Sequence, residues 1–126
     1  MKILIIDDDG GSRCLIENAL QFDGHQVLVA ANGVSGMRLM RLEQPDIVIT
    51  DILMPDQDGL GIIRSMRQEF PEVKILAISG AGAVGSLDLL VAAGRLGASA
   101  TLEKPFAAEQ LSESVNRLAA AKAQTI

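Results

Sequence analysis

Five short apolar runs recur along the chain of 126 residues: Lys2–Asp7, Gln26–Ala30, Asp46–Asp51, Lys74–Ser79 and Ser99–Glu103. Most are nearly continuous in Ile, Val and Leu rather than alternating. That marks strands covered on both faces, as in a parallel sheet. Between them lie stretches with helical spacing: Leu15, Ile16, Ala19 and Leu20; Val34, Met37 and Met40; Ile62, Ile63, Met66 and Phe70; Leu87, Leu90, Val91 and Gly94; and Leu111, Val115 and Leu118. Strand alternating with helix implies right-handed βαβ units and a doubly wound α/β fold. The punctuation agrees. Asn32-Gly33 and Asp58-Gly59 each precede a helical stretch, where Asn or Asp can cap free N–H groups, and Phe70-Pro71 closes the third helix. No repeat, low-complexity linker or second domain interrupts the pattern. One domain is expected over residues 1–121, with 122–126 a short tail and no output domain.

The length is one domain's worth, and 48% hydrophobic residues is a globular proportion that excludes disorder. A net charge of -5 supplies no basic stripe for a phosphate backbone, so no nucleic-acid partner is expected. The single cysteine, Cys14, excludes an internal disulfide and fits a reducing compartment. The opening MKILIIDDD reaches aspartates after too few apolar residues for a signal peptide. No apolar run approaches the ~20 residues of a spanning helix. A cytoplasmic protein without membrane insertion is the expectation.

In an open parallel sheet, ligands bind beyond the carboxyl ends of the strands. Strand 1 ends in Asp7-Asp8-Asp9, strand 3 in Asp51, strand 4 in Ser79, and strand 5 runs into Lys104. Carboxylates from neighbouring strands crowd negative charge into one cleft, which is costly unless a cation neutralises it. Hard oxygen ligands with room for waters suit Mg²⁺. A magnesium ion, an ammonium and a hydroxyl around one carboxylate make a phosphoryl-transfer site. The cations offset charge on the equatorial oxygens while the carboxylate attacks in line.

The segments IIDDDGGSR, DIVITDILMPDQDG, ILAISGAG and LEKPF resemble, in order and spacing, the four signature segments of response-regulator receiver domains in two-component signalling. The resemblance covers essentially the whole chain. It implies a flavodoxin-like (βα)5 three-layer sandwich with a parallel five-stranded sheet of order 2-1-3-4-5. By position it makes Asp51 the phosphoacceptor. Asp7 and Asp8 become the acid pair for Mg²⁺, with Asp51 and the Leu53 backbone carbonyl as further ligands. Ser79 is the switch hydroxyl, Lys104 the site lysine, and Lys104-Pro105 a peptide bond that is cis in relatives. It implies a sensor histidine kinase or histidine phosphotransfer protein as donor, docked near Gly11–Cys14. A downstream protein would meet Ser86–Leu96, Thr101 and Ala107–Leu118, the face of helix 4, strand 5 and helix 5. Such a protein is a switch, not an enzyme, catalysing only its own phosphorylation and dephosphorylation. It resembles stand-alone, single-domain regulators.

The chain also departs from the family. Thr101 stands where most relatives carry an aromatic, and there is no Tyr or Trp, so an aromatic switch does not carry over. The segment GAGAVGSLD after Ser79 is glycine-rich, and the conformational change is expected there. Leu53 and Ala81 occupy the positions that tune dephosphorylation, and neither side chain can hold an attacking water. A slowly hydrolysing acyl phosphate is the expectation.

Asp56–Gly59 fails as a calcium loop, because its first ligand would fall on Met54 and no glutamate follows at the required distance. His25 reads as a surface or turn residue, Cys14 as a small packed residue, the methionines as core, and Glu17, Glu43 and Glu69 as solvated. The alternative from another class is a haloacid-dehalogenase-like phosphatase, with Asp7 as nucleophile and Asp9 as general acid. It leaves Asp51 unexplained and puts Gly11 where threonine is expected. A receiver-like module that is never phosphorylated leaves the whole acidic constellation without a purpose.

Overall fold

The computed structural model describes residues 1–54, 57–80 and 86–124, with side chains at all of these but 54, 57, 58, 86, 87 and 121–124. Five parallel strands, β1 (Lys2–Ile6), β2 (Gln26–Ala30), β3 (Ile47–Asp51), β4 (Lys74–Gly80) and β5 (Ala100–Lys104), form one sheet in the order 2-1-3-4-5. The helices between and after them are α1 (Gly10–Phe22), α2 (Gly33–Glu43), α3 (Gly59–Glu69), α4 (Ser86–Leu96) and α5 (Ala108–Gln124). The fold is the flavodoxin-like three-layer sandwich.

Successive side chains of a strand point to opposite faces, so a strand between two helical layers must be apolar throughout. Leu4, Ile6, Val48, Ile75 and Ala77 pack against Met40 of α2, Ile63 and Met66 of α3, and Leu90 and Ala93 of α4. Ile3, Ile5, Ile47, Ile49, Leu76 and Ile78 face the other way, against Ile16 and Leu20 of α1 and Leu111, Val115 and Leu118 of α5. The edge strands are only half covered, and Thr101 and Glu103 of β5 are exposed.

Helix ends follow side-chain chemistry. Asp9 Oδ2 accepts the Ser12 N–H at 3.0 Å and starts α1. Asn32 Oδ1 accepts the Ser35 N–H at 2.8 Å and starts α2, as expected. The cap expected from Asp58 lies outside the described side chains. α3 ends at Glu69, just before Phe70-Pro71. α5 runs to Gln124.

Three of the residues with helical spacing do not enter the core. Leu15, Val34 and Val91 are exposed at 74%, 74% and 57%. Helical spacing groups residues on a side of the helix but does not say how wide the covered stripe is. In α2 the buried positions are Gly33, Gly36 and Met40, and a Cβ at Gly36 would lie 2.4 Å from Ile6 Cδ1. The helix therefore sits too close to β1 for Val34 to turn inward as well. Cys14 is exposed rather than packed, with Asn18 Nδ2 donating to its Sγ at 3.6 Å. A two-stranded antiparallel ribbon of Leu53–Met54 with Gln57–Asp58 had no signal in the apolar pattern. Among the described residues no helix is long and apolar enough to cross a membrane.

Candidate functional site

The parallel register puts the carboxyl ends of β1, β3, β4 and β5 side by side. Ile6 pairs with Thr50, Asp51 with Ile78, and Gly80 with Lys104. Three side chains meet there. Lys104 Nζ donates to Asp51 Oδ2 at 2.9 Å and to Asp7 Oδ2 at 3.1 Å. Asp7 is 1% exposed and Asp51 7% exposed, so both carboxylates are withdrawn from water, a placement tolerated only with compensation. The second oxygen of each is also held: the Asp9 N–H donates to Asp7 Oδ1 at 2.9 Å, and the Leu53 N–H to Asp51 Oδ1 at 2.8 Å.

Burial by itself would pull the Lys104 ammonium down. The hydrogen bonds and charges of Asp51 and Asp7 outweigh it and raise the group above its ordinary 10.5. Lys104 is thus a fixed cation at neutral pH. One ammonium between two buried carboxylates leaves negative charge over, and Asp8, exposed beside them, adds more. The donor set is all hard oxygen and carries surplus negative charge, which fits a divalent cation of the Mg²⁺ type. Among the described residues no three carboxylate, imidazole or thiol groups converge closely enough to cage an ion by themselves. Mg²⁺ does not need such a cage, because it keeps several of its waters.

Ser79 is fully buried at the end of β4, one residue beyond the register partner of Asp51. The Lys104-Pro105 bond is cis, as the resemblance implies. Thr101 lies exposed on β5, and Leu53 is 38% exposed. Ala81 and most of the glycine-rich segment lie outside the described residues. His25 sits at the far end of the sheet with its Nδ1 3.3 Å from the amino terminus, a turn residue as expected. Glu69, read as merely solvated, forms a two-pronged pair with Arg41 at 2.7 and 3.0 Å.

The sequence reading missed Arg13, whose Nη1 donates to the Asp7 carbonyl at 2.8 Å. Its signals were its place at the end of the segment IIDDDGGSR and its position four residues after the cap Asp9, one turn into the helix that follows the acid run. Asp9, the general acid of the phosphatase alternative, serves as the N-cap of α1.

The profile of the response regulator receiver domain matches residues 3–116. Sporulation initiation phosphotransferase F of Bacillus subtilis is 31% identical over 116 residues, covering 92% of this chain and 91% of that protein. Response regulator MprA of Mycobacterium avium is 34% identical over 111 residues, and this chain spans 47% of its length. The crystal structure of a response regulator receiver domain protein from Clostridium thermocellum superposes with a TM-score of 0.90 at 32% identity, over 99% of this chain and 98% of that one. None of these comparisons supports a phosphatase of the haloacid-dehalogenase type. A profile match over most of the chain, together with a relative 31% identical that it covers to 91% of its length, makes this protein a member of the response regulator receiver domain family.

Proposed function

We propose that Asp51 accepts a phosphoryl group from a phosphohistidine, so that the protein works as the receiver of a two-component or phosphorelay system. The observation that carries this is the Lys104 ammonium held between two buried carboxylates, 2.9 Å from Asp51 and 3.1 Å from Asp7, at adjoining strand ends. Receiver domains of this kind work with histidine kinases or phosphotransfer proteins as a signalling switch, not as an enzyme in the ordinary sense.

In the transfer, an Asp51 carboxylate oxygen forms the new P–O bond while the P–N bond of the donor breaks, and the imidazole keeps the electron pair. Asp7, Asp8, Asp51 and the Leu53 carbonyl would hold Mg²⁺. When bound, it neutralises charge on the transferring phosphoryl oxygens. Lys104, already cationic and already at Asp51, can shift from carboxylate to phosphoryl oxygen without a proton change. Ser79 supplies a hydroxyl whose engagement distinguishes the two states. With Leu53 and Ala81 unable to position a water, the acyl phosphate hydrolyses slowly. The donor meets the surface near Gly11–Cys14, and a downstream protein meets Ser86–Leu96, Thr101 and Ala107–Leu118. The exposed thiol of Cys14 fits a cytoplasmic location.

Intact mass after incubation with acetyl phosphate and Mg²⁺ tests the reading. Wild type is expected to gain one phosphoryl group, and to gain none without magnesium or as Asp51→Asn. Catalytic phosphate release dependent on Asp7, with no adduct, would overturn it. So would silence towards both acetyl phosphate and a phosphorylated histidine donor.

A further inference from the structure

We propose that Arg13 is a positioning residue that sets the magnesium affinity of this site by fixing the direction in which Asp8 leaves the chain. The proposal rests on the reading of the acid cluster as a magnesium site and gives a role to Arg13, the last residue of the segment IIDDDGGSR. Every polar group of Asp7 is held. Its N–H donates to the Ala30 carbonyl at 3.1 Å, its Oδ2 accepts from Lys104 Nζ at 3.1 Å, and its Oδ1 accepts from the Asp9 N–H at 2.9 Å. Its carbonyl accepts from Arg13 Nη1 at 2.8 Å. That carbonyl belongs to the peptide unit joining Asp7 to Asp8. A planar peptide fixed at its oxygen fixes ψ of Asp7 and φ of Asp8 together. Arg13 can act as the fixed post because its own N–H bonds to the Asp9 carbonyl at 2.9 Å, inside a helix whose first turn Asp9 caps. The segment from Asp7 to Arg13 is therefore a closed clasp, and the exposed Asp8 projects from its fixed edge.

The sign of the effect separates this role from the opposite one. A guanidinium beside a cation site repels the incoming cation, so on charge alone its removal would tighten magnesium binding. Loss of positioning loosens it, and removing groups that orient metal ligands typically costs 10–100-fold in affinity.

The test is calorimetric titration of Mg²⁺ into the metal-free full chain, which needs no fluorophore in a protein without Trp or Tyr. Arg13→Ala is expected to weaken the Kd about tenfold. Arg13→Lys, which keeps a donor but loses the planar fork, is expected to fall between the two. Arg41→Ala, which breaks an exposed pair on α2, is expected to leave the Kd unchanged. Thermal melts in EDTA report whether each variant is folded. A Kd for Arg13→Ala equal to or tighter than wild type would overturn the proposal, as would an equal loss in Arg41→Ala. Should Arg13→Ala not fold, Arg13→Lys decides alone, and a wild-type Kd there overturns the proposal. A wild type that binds no magnesium would bring down the reading of the site as well, a failure distinct from that of Arg13.

Discussion

Lys104 is 23% exposed and its two acceptors are nearly sealed, at 2% and 8% of their side-chain surface, so its ammonium is central to the apo site. Removing one partner of a buried pair strands the other charge, at a cost of ~3–5 kcal/mol when burial is complete. With the lysine partly open to water, Lys104→Met is expected to cost about 2 kcal/mol in EDTA, read from urea denaturation. The pH dependence has a definite sign. The folded pKa lies above the unfolded value of 10.5, so the contribution is fully present at neutral pH and is lost only as pH rises through the folded pKa. The difference in stability between wild type and Lys104→Met should therefore hold at pH 7–9 and shrink in strongly alkaline solution. A difference that grows above pH 10.5 would contradict the pairing.

The helices approach the sheet unusually closely at two glycines, and the two are not alike. A Cβ at Gly59, the first residue of α3, would lie 2.5 Å from both the Cα and the carbonyl oxygen of Ile52. Backbone cannot turn aside, and Ile52 adjoins Asp51. A Cβ at Gly36 would meet only the Ile6 side chain, which has other rotamers. Overpacking costs typically 1–3 kcal/mol. Gly59→Ala is expected at about 3 kcal/mol and Gly36→Ala at about 1–2, with unchanged m-values in urea. The reverse order would show that α3 is freer to shift than its seat on Ile52 implies. Arg67 secures the next junction. Its Nε and Nη2 donate to the Gly97 carbonyl at 3.1 and 2.8 Å, and its Nη1 to the Pro71 carbonyl at 2.7 Å, tying α3 to the turn between α4 and β5. Burial lowers the guanidinium pKa, but not into a range where its charge is in question.

In the proposed switch, a change at Asp51 reaches β5 and α4 through β4, the strand that pairs with both β3 and β5 and carries the buried Ser79. Its register partner on β5 is Glu103. Ser79→Ala is expected to leave the Asp51 adduct intact in mass spectra while abolishing most of the amide shift changes that phosphorylation causes at Thr101 and along α4. Equal shift changes in wild type and Ser79→Ala would remove Ser79 from the switch. Much of the arrangement was already legible in the chain. The nearly continuous apolar runs, alternating with helical stretches, pointed to strands of a parallel sheet, and the acids at their ends, with Lys104, marked the cleft. Local order could not say which residues of each helix find cover: Leu15, Val34 and Val91 share the helical spacing of buried neighbours, yet helix seating leaves them in water. Nor could it place Arg13 on the Asp7 carbonyl, because a side chain's reach to backbone depends on where a helix starts and how it tilts. Sequence is enough to set periodicity and the chemistry of strand ends, since these depend on residue type and spacing along one chain. Which oxygen meets which nitrogen, across 97 residues for Asp7 and Lys104, is decided only when packing fixes the distances.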